Sequence, residues 1–247
     1  MTDTKNAVII TGYSSNTAVV VAALLKGLLE KIGYHVTVAD PFKEERGKFL
    51  FRRSLLTTSS TQSFIVATER QLPLEASIVF GYSYGGAMAI LQKKCETNTL
   101  VLLSPALGGN SIIWKPLEKM LKSFSVFPAF EDMGSKFFQE RIFCSLKKLR
   151  KKGVQIIFFL PSGRRDDRIT YDRWIMDNLS DIKISYISVE KHQDMIRNPK
   201  VANLIIERLG IWNIYLLSSF FYIKKPPCGG FCLLFPSLNP FSKYRSC

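Results

Sequence analysis

Short apolar runs rich in β-branched residues alternate along the chain with longer stretches of helical periodicity. This alternation is typical of a parallel sheet with helices on both faces. The predicted strands lie at residues 7–10, 35–39, 76–80, 99–103, 154–160 and 183–189. The predicted helices lie at residues 17–31, 63–71, 84–95, 171–179 and 199–209. The pattern therefore predicts an α/β fold with a mostly parallel sheet of about six strands.

The regular alternation breaks in two places. Between the fourth and fifth predicted strands the pattern loosens into two amphipathic pieces, at residues 115–123 and 136–151. An insertion here can cover a site at the edge of a sheet, so we expect a small helical cap over residues 107–152. After Gly210 an uncharged stretch begins that is too short for a transmembrane helix. We therefore expect one α/β domain at residues 1–210 and a hydrophobic C-terminal extension at residues 211–247.

Composition and charge narrow the class of protein. Hydrophobic residues make up 47% of the 247 residues and charged residues 22%, which fits a packed globular domain and excludes a disordered chain. The formal net charge of +14 favours an anionic partner. Five scattered cysteines form neither a disulfide framework nor a zinc pattern, and the N-terminus lacks a secretory signal. We expect a cytoplasmic protein.

The motif Gly81-Tyr82-Ser83-Tyr84-Gly85 carries the candidate chemistry. As a string, G-x-S-x-G is a weak signal, because glycine and serine are common in loops. Its position between a predicted strand and a predicted helix strengthens it, because a nucleophile elbow needs a sharp strand-to-helix turn. The alternative is an ordinary turn in which Ser83 caps the helix.

A serine nucleophile requires a base and an acid later in the chain, in the order serine, acid, histidine. His192 follows the last predicted strand, where the base should lie, whereas His35 opens an early strand and is interpreted as structural. The acid should follow the predicted strand that precedes the last one, at residues 154–160, and Asp166 and Asp167 are both candidates there. Asp166 is preferred for its spacing from the preceding glycine, and the alternative for both is a helix-capping pair beside three arginines.

The reaction also requires donors for an oxyanion. In such an elbow one donor is the backbone N–H after the nucleophile, which here belongs to Tyr84, and the second comes from the loop after an early strand. Gly12 and Tyr13 occupy that loop, so the N–H of Tyr13 is the second candidate. The alternative is that glycine serves the geometry of the turn alone.

With these pieces in order, residues 7–209 resemble the α/β-hydrolase superfamily, particularly its small esterases and monoacylglycerol-lipase-like serine hydrolases. The family has a strand that ends in His-Gly-x, and residues 8–13 are similar to it, with Thr11 where histidine is usual. The elbow is matched by residues 81–86. The acid loop is matched by residues 163–166 and the base loop by residues 191–192. The resemblance implies a three-layer fold that starts at the family's third strand. It also implies acyl transfer to Ser83 and then to water, without a metal or organic cofactor.

Two functions remain open at this point. The first is a carboxylic ester or thioester hydrolase acting on an acyl lipid or small ester, with no nucleic acid partner. The second is a non-catalytic binding or membrane-docking protein on a hydrolase scaffold, motivated by Thr11, the shortened start and the basic charge. For residues 211–247, an anchor on an anionic membrane surface competes with a hydrophobic extension that packs on the domain or stays unstructured.

Overall fold

The protein is described here from a computed structural model. The chain divides into two units, Met1–Ile211 and Trp212–Cys247, and all described residues belong to the first. The described residues are 5–12, 17–43 (side chains from residue 22), 60–108, 135–162, 178–179, 182–189, 195 and 198–210. The predicted extension at residues 211–247 lies outside them and stays a prediction.

Six strands form one sheet, as the alternating pattern predicts. All five neighbouring pairs are parallel, in the order β2-β1-β3-β4-β5-β6. The chain runs from β1 outward to β2 and then returns to the other side of β1, so the strand order reverses between β1 and β3. Crevices at the carboxyl ends of strands form at such switch points. The strands are β1 (Lys5–Ile10), β2 (Tyr34–Ala39), β3 (Glu75–Tyr82), β4 (Glu96–Leu103), β5 (Gln155–Pro161) and β6 (Lys183–Ile187).

Five helices connect and cover these strands. They are α1 (Thr17–Lys31), α2 (Thr61–Gln71), α3 (Tyr84–Leu91), α4 (Lys136–Lys151) and α5 (Pro199–Arg208). The bounds of α1 and α4 agree with the sequence pattern. Most of the predicted helix at residues 171–179 lies outside the described residues. Within the described part of the chain, no helix has the length and apolar character needed to cross a bilayer.

Helix α3 ends four residues earlier than its sequence pattern predicts. Gln92 adopts an extended backbone, with φ −64° and ψ 153°. Its side-chain oxygen accepts from the N–H of Cys95 at 2.8 Å, and its side-chain nitrogen donates to the carbonyl of Cys95 at 2.9 Å. These two buried bonds close a turn in place of the last helical turn.

The core lies on both faces of the sheet, because the four central strands, β1, β3, β4 and β5, are buried on both sides. In β1, Val8 and Ile10 join the cluster beneath α2, α3 and α4, whereas Ala7 and Ile9 join the cluster beneath α1 and α5. This near-continuous apolar strand is typical of a parallel sheet between two helical layers. The predicted three-layer architecture is confirmed.

Helix α4 belongs to one of these helical layers. Its residues Phe138, Ile142 and Leu146 are buried in the same cluster as Leu100 of β4 and Ile156 of β5. The second amphipathic piece of the predicted cap is therefore the helix that carries the chain from β4 back to β5. The other piece falls within residues 109–134, which lie outside the described residues, so a cap there stays a prediction.

Candidate active site

The candidate site lies where the strand order reverses. Strands β1 and β3 are neighbours, and their carboxyl ends carry Gly12 and Ser83 respectively. The strand register pairs Ile10 with Gly81, so both turns leave the sheet at the same level. Two loops from separate parts of the sequence thus meet at the centre of the carboxyl edge.

Ser83 has the strained backbone that a nucleophile elbow requires. Its φ is 53° and its ψ is −125°, and non-glycine residues in such regions cost about 1–3 kcal/mol. The Ser83 N–H donates to the carbonyl of Leu103 at 3.0 Å. The Ser83 carbonyl accepts from the N–H groups of Gly86, at 2.9 Å, and Ala106, at 2.8 Å. These three backbone bonds hold the strained conformation in place.

The alternative role of Ser83 as an ordinary helix cap does not fit this geometry. Its side chain makes no capping hydrogen bond to α3, and its backbone is far from the extended conformation of typical cap residues. Ser60 and Ser135 show the contrast, because each has an extended backbone and a side chain that accepts from the N–H three residues later. The Ser83 side chain, only partly buried, does not serve as a cap.

Glycines around Ser83 bring three backbone segments into direct contact. A Cβ atom on Gly81 would lie 2.7 Å from the Cα of Gly86. A Cβ atom on Gly85 would overlap the carbonyl oxygen of Thr11 and lie 2.5 Å from that of Ile10. No side chain fits in these positions without a shift of the backbone. The elbow glycines therefore allow β1, β3 and α3 to pack at the distance the turn needs.

The loop after β1 touches the candidate nucleophile. A Cβ atom on Gly12 would lie 2.9 Å from the Cβ of Ser83. The preceding residue, Thr11, is buried; its hydroxyl donates to the Asp40 carboxylate at 3.2 Å, and its N–H donates to the Ala39 carbonyl at 3.0 Å. Thr11 thus ties the end of β1 to the end of β2 and fixes the loop against Ser83.

Tyr84 is the first residue of α3, and its side chain anchors the elbow to α2. The first N–H groups of a helix have no carbonyl partner within the helix, which suits them to an anion. The Tyr84 hydroxyl lies 2.8 Å from the hydroxyl of Thr61. Its ring stacks on Phe42, with centroids 5.6 Å apart, and meets Phe64 edge-on at 6.1 Å. No sequence pattern marked this aromatic cluster, because its members come from three separate segments.

A second strained residue supports the elbow from β4. Ser104 is fully buried with φ 46°, and its N–H donates to the carbonyl of Phe159 at 2.8 Å. The two residues after it contact the elbow: the side chain of Pro105 faces Gly86, and Ala106 donates to the Ser83 carbonyl. No sequence signal marked Ser104, since a serine before a proline occurs in many loops.

The structure brings together only part of the predicted constellation. Ser83 and Tyr84 lie beside the loop that leads to Tyr13, but Tyr13, Asp166, Asp167 and His192 lie outside the described residues. Strands β5 and β6 run parallel to β4, and Pro161 pairs with Ile187 near their carboxyl ends. The predicted acid and base loops therefore start from the edge that carries Ser83. His35 is exposed on β2 and pairs with Asn6 near the opposite edge.

Comparison with known proteins adds to this geometry. No protein-family model matches the sequence, and no curated protein matches it either. Tomato methylketone synthase I, solved with 2-tridecanone, is similar in structure with a TM-score of 0.51, at 12% identity over 85% of this chain and 99% of that chain. The monoacylglycerol lipase of Paleococcus ferrophilus has a TM-score of 0.52, at 14% identity over 83% of this chain and 95% of that one. The chain has the α/β-hydrolase fold.

In an α/β-hydrolase fold the nucleophile stands at the top of a strand–turn–helix elbow, and the oxyanion donors are the next N–H and one from the loop of an earlier strand. In this chain Ser83 lies in the turn between β3 and α3, Tyr84 follows it, and the loop after β1 lies against it. Among the residues with described side chains, no group of three His, Cys, Asp or Glu residues could hold a metal ion. At 12–14% identity the likeness carries the fold alone.

Proposed function

We propose that the protein is a serine hydrolase that cleaves a carboxylic ester or thioester, of an acyl lipid or a small ester, with Ser83 as nucleophile. One observation carries the proposal: the strained backbone of Ser83 at the centre of the carboxyl edge. Such strain persists only where the surrounding structure enforces it, and it clusters at functional sites. Three backbone hydrogen bonds and four close-packed glycines, Gly12, Gly81, Gly85 and Gly86, enforce it here.

In the proposed reaction the Ser83 oxygen attacks the substrate carbonyl carbon while His192 takes the hydroxyl proton. The N–H groups of Tyr84 and Tyr13 donate to the oxyanion of the tetrahedral intermediate. His192 then returns the proton to the departing alcohol or thiol, which leaves an acyl-Ser83 ester. A water molecule, deprotonated by His192, hydrolyses that ester and restores the enzyme, while Asp166 orients the imidazole. No cofactor takes part in these steps.

The substrate class is the least constrained part of the proposal. The names of the two similar structures refer to a monoacylglycerol and to a long-chain ketone, which motivates an assay panel that includes long acyl chains. Short acyl esters and thioesters belong in the same panel, because the fold accepts many substrates.

The decisive experiment compares Ser83 with Ser77, a serine of the strand that leads into the elbow. Ser83→Ala should lower kcat/KM by about 10³-fold or more, because the nucleophile is lost. Ser77→Ala, a matched change six residues earlier in β3, should leave kcat/KM within about twofold. If the wild type hydrolyses none of the panel, the protein is a non-catalytic binding protein on a hydrolase scaffold. If Ser83→Ala keeps the wild-type rate, Ser83 is not the nucleophile.

The choice of the acid is tested by a matched pair of neighbours. Asp166→Asn should lower kcat by about 10⁴-fold, since an uncharged amide no longer stabilises the imidazolium. Asp167→Asn should change kcat by less than about threefold. The reverse order of effects would assign the acid to Asp167.

A further inference from the structure

Helix α4 carries more positive charge than any other described helix. Residues 136–152, which comprise α4 and the residue after it, contain seven lysines and arginines and one glutamate. Helices α1 and α5, in the opposite layer, each contain two cations and one glutamate. The excess of +6 on a single surface helix therefore does not follow from the basic composition of the whole chain.

Helix α4 presents four of these seven cations on its outward face, together with an exposed aromatic ring. The inward face is the buried row of Phe138, Ile142 and Leu146. Outside, the side chain of Phe137 is 68% exposed, and the guanidinium of Arg141 lies 5.9 Å from the centre of its ring. The outer surface, here called the basic face, comprises Phe137, Glu140, Arg141, Cys144, Lys147, Lys148 and Lys151. Its four cations outnumber its one carboxylate, and Glu140 is paired with Lys136, with 3.8 Å between the charged atoms.

We propose that the basic face of α4 binds the surface of an anionic lipid membrane. Lysines near such a surface are attracted by its negative potential, and an exposed aromatic ring enters the boundary between headgroups and acyl chains. The 16 residues of α4 span about 24 Å, so the whole face can contact one plane at the same time. This membrane site is separate from the proposed chemistry at Ser83.

The burial of α4 favours a membrane over nucleic acid as the partner. A recognition helix must enter a major groove about 12 Å wide, which requires a helix that protrudes from its domain. Helix α4 instead packs against the domain along its length, from Phe138 to Leu146. The exposed face of such a helix is level with the surface of the domain, which fits a flat membrane surface. Duplex DNA is therefore the competitor in the test and not the expected ligand.

The test measures co-sedimentation of the full chain with phosphatidylcholine vesicles that contain or lack phosphatidylserine. The triple variant Lys147→Gln, Lys148→Gln, Lys151→Gln should lose at least about tenfold in partitioning onto the anionic vesicles. A matched triple variant, Lys31→Gln, Lys183→Gln, Lys200→Gln, removes the same charge from other exposed sites and should stay within about twofold of the wild type. Circular dichroism checks that both variants are folded.

A second variant tests the apolar contribution of Phe137 to membrane binding without changing the charge of the protein. Phe137→Ala should weaken partitioning onto anionic vesicles by about threefold, because the exposed ring no longer enters the lipid boundary. The proposal is overturned if both triple variants weaken equally, if vesicles without phosphatidylserine bind equally well, or if Phe137→Ala has no effect. It is also overturned if duplex DNA displaces the protein from the vesicles at equal phosphate concentration.

Discussion

The carboxyl edge of the sheet, where the strands end, is packed differently from the amino edge, where they begin. At the carboxyl edge, glycines place backbone against backbone and Ser83 is held with φ 53°. At the amino edge, the strands open onto a groove of about 910 Å³, lined by charged side chains such as Lys5 and Lys148 and by apolar ones such as Ile90 and Leu149. An exposed ion pair, Lys152–Glu96, lies there with 3.9 Å between its charged atoms. Close packing and backbone strain are therefore features of one edge, and the proposed chemistry lies at that edge.

The largest expected effect comes from adding one methyl group at the carboxyl edge. Gly85→Ala should lower the free energy of unfolding by about 3 kcal/mol or more, because the new Cβ meets backbone oxygens of Thr11 and Ile10 that cannot rotate away. Urea denaturation measures the change.

The matched control for this variant is Gly27→Ala in α1, where a Cβ atom meets nothing within 4 Å. This change should raise the free energy of unfolding by about 0.5–1 kcal/mol, because alanine favours the helix. Equal effects of the two variants would contradict the packing described for the elbow.

The next effect concerns a thiol at the amino edge. The pKa of Cys95 is raised to about 11, mainly because the thiol is buried. The nearby Lys94 lowers this pKa, and Glu75 raises it further. Its thiolate fraction at pH 8 is therefore about 10⁻³. Iodoacetamide should modify Cys95 at least about a hundredfold more slowly than the exposed Cys144, as read by peptide mass spectrometry. Similar rates would show that the amino edge opens readily.

The same thiol gives stability a pH dependence with a definite sign. The pKa of Cys95 is 9.0 in the unfolded chain and about 11 in the folded protein. Between pH 9 and pH 11 the native protein therefore holds more protons than the unfolded chain. Unfolding free energy should therefore fall as pH rises from 9 to 11, and Cys95→Ala should lessen that fall. A variant with an unchanged slope would contradict this assignment.

A smaller effect is expected at the side chain that anchors Tyr84. Tyr84→Phe removes the hydroxyl that lies 2.8 Å from that of Thr61, which should lower the free energy of unfolding by about 1 kcal/mol. Because Tyr84 also carries a proposed oxyanion donor, kcat should fall by about threefold to tenfold with KM nearly unchanged. Combining Tyr84→Phe with Thr61→Val in a double-mutant cycle separates this bond from general packing, and strictly additive effects would count against it.

The smallest effect tests the strain at Ser83 itself. Both Ser83→Gly and Ser83→Ala remove the hydroxyl, but only glycine adopts a positive φ without steric cost. Ser83→Gly should therefore be more stable than Ser83→Ala by about 1 kcal/mol in thermal or urea unfolding. Equal stability of the two variants would mean that the elbow is not strained.

Local patterns were sufficient to predict most of the fold. The apolar runs located all six strands, and the periodicity of residues 17–31 and 136–151 gave the bounds of α1 and α4. The end of α3 was missed because it depends on one side chain, that of Gln92, bonding three residues ahead. The role of α4 was missed because burial of its inward face depends on contacts with β4 and β5, which are far away in sequence.

The candidate site was predictable only where a motif marks it. The elbow motif marks Ser83 and Tyr84, because its geometry demands glycines at fixed spacing. The aromatic cluster around Tyr84, the bond from Thr11 to Asp40 and the strained Ser104 all arise from contacts between separate segments. Such contacts follow from the order of strands in the sheet and leave no local signal in the sequence.

Active-site labelling tests the central claim most directly. The wild type, Ser83→Ala and His192→Ala are incubated with a fluorophosphonate, and the modified residue is identified by peptide mass spectrometry. We expect that the wild type is labelled at Ser83, that Ser83→Ala is not labelled, and that His192→Ala is labelled at least about a hundredfold more slowly. A folded wild-type protein that is not labelled at Ser83 would contradict the role of Ser83 as nucleophile.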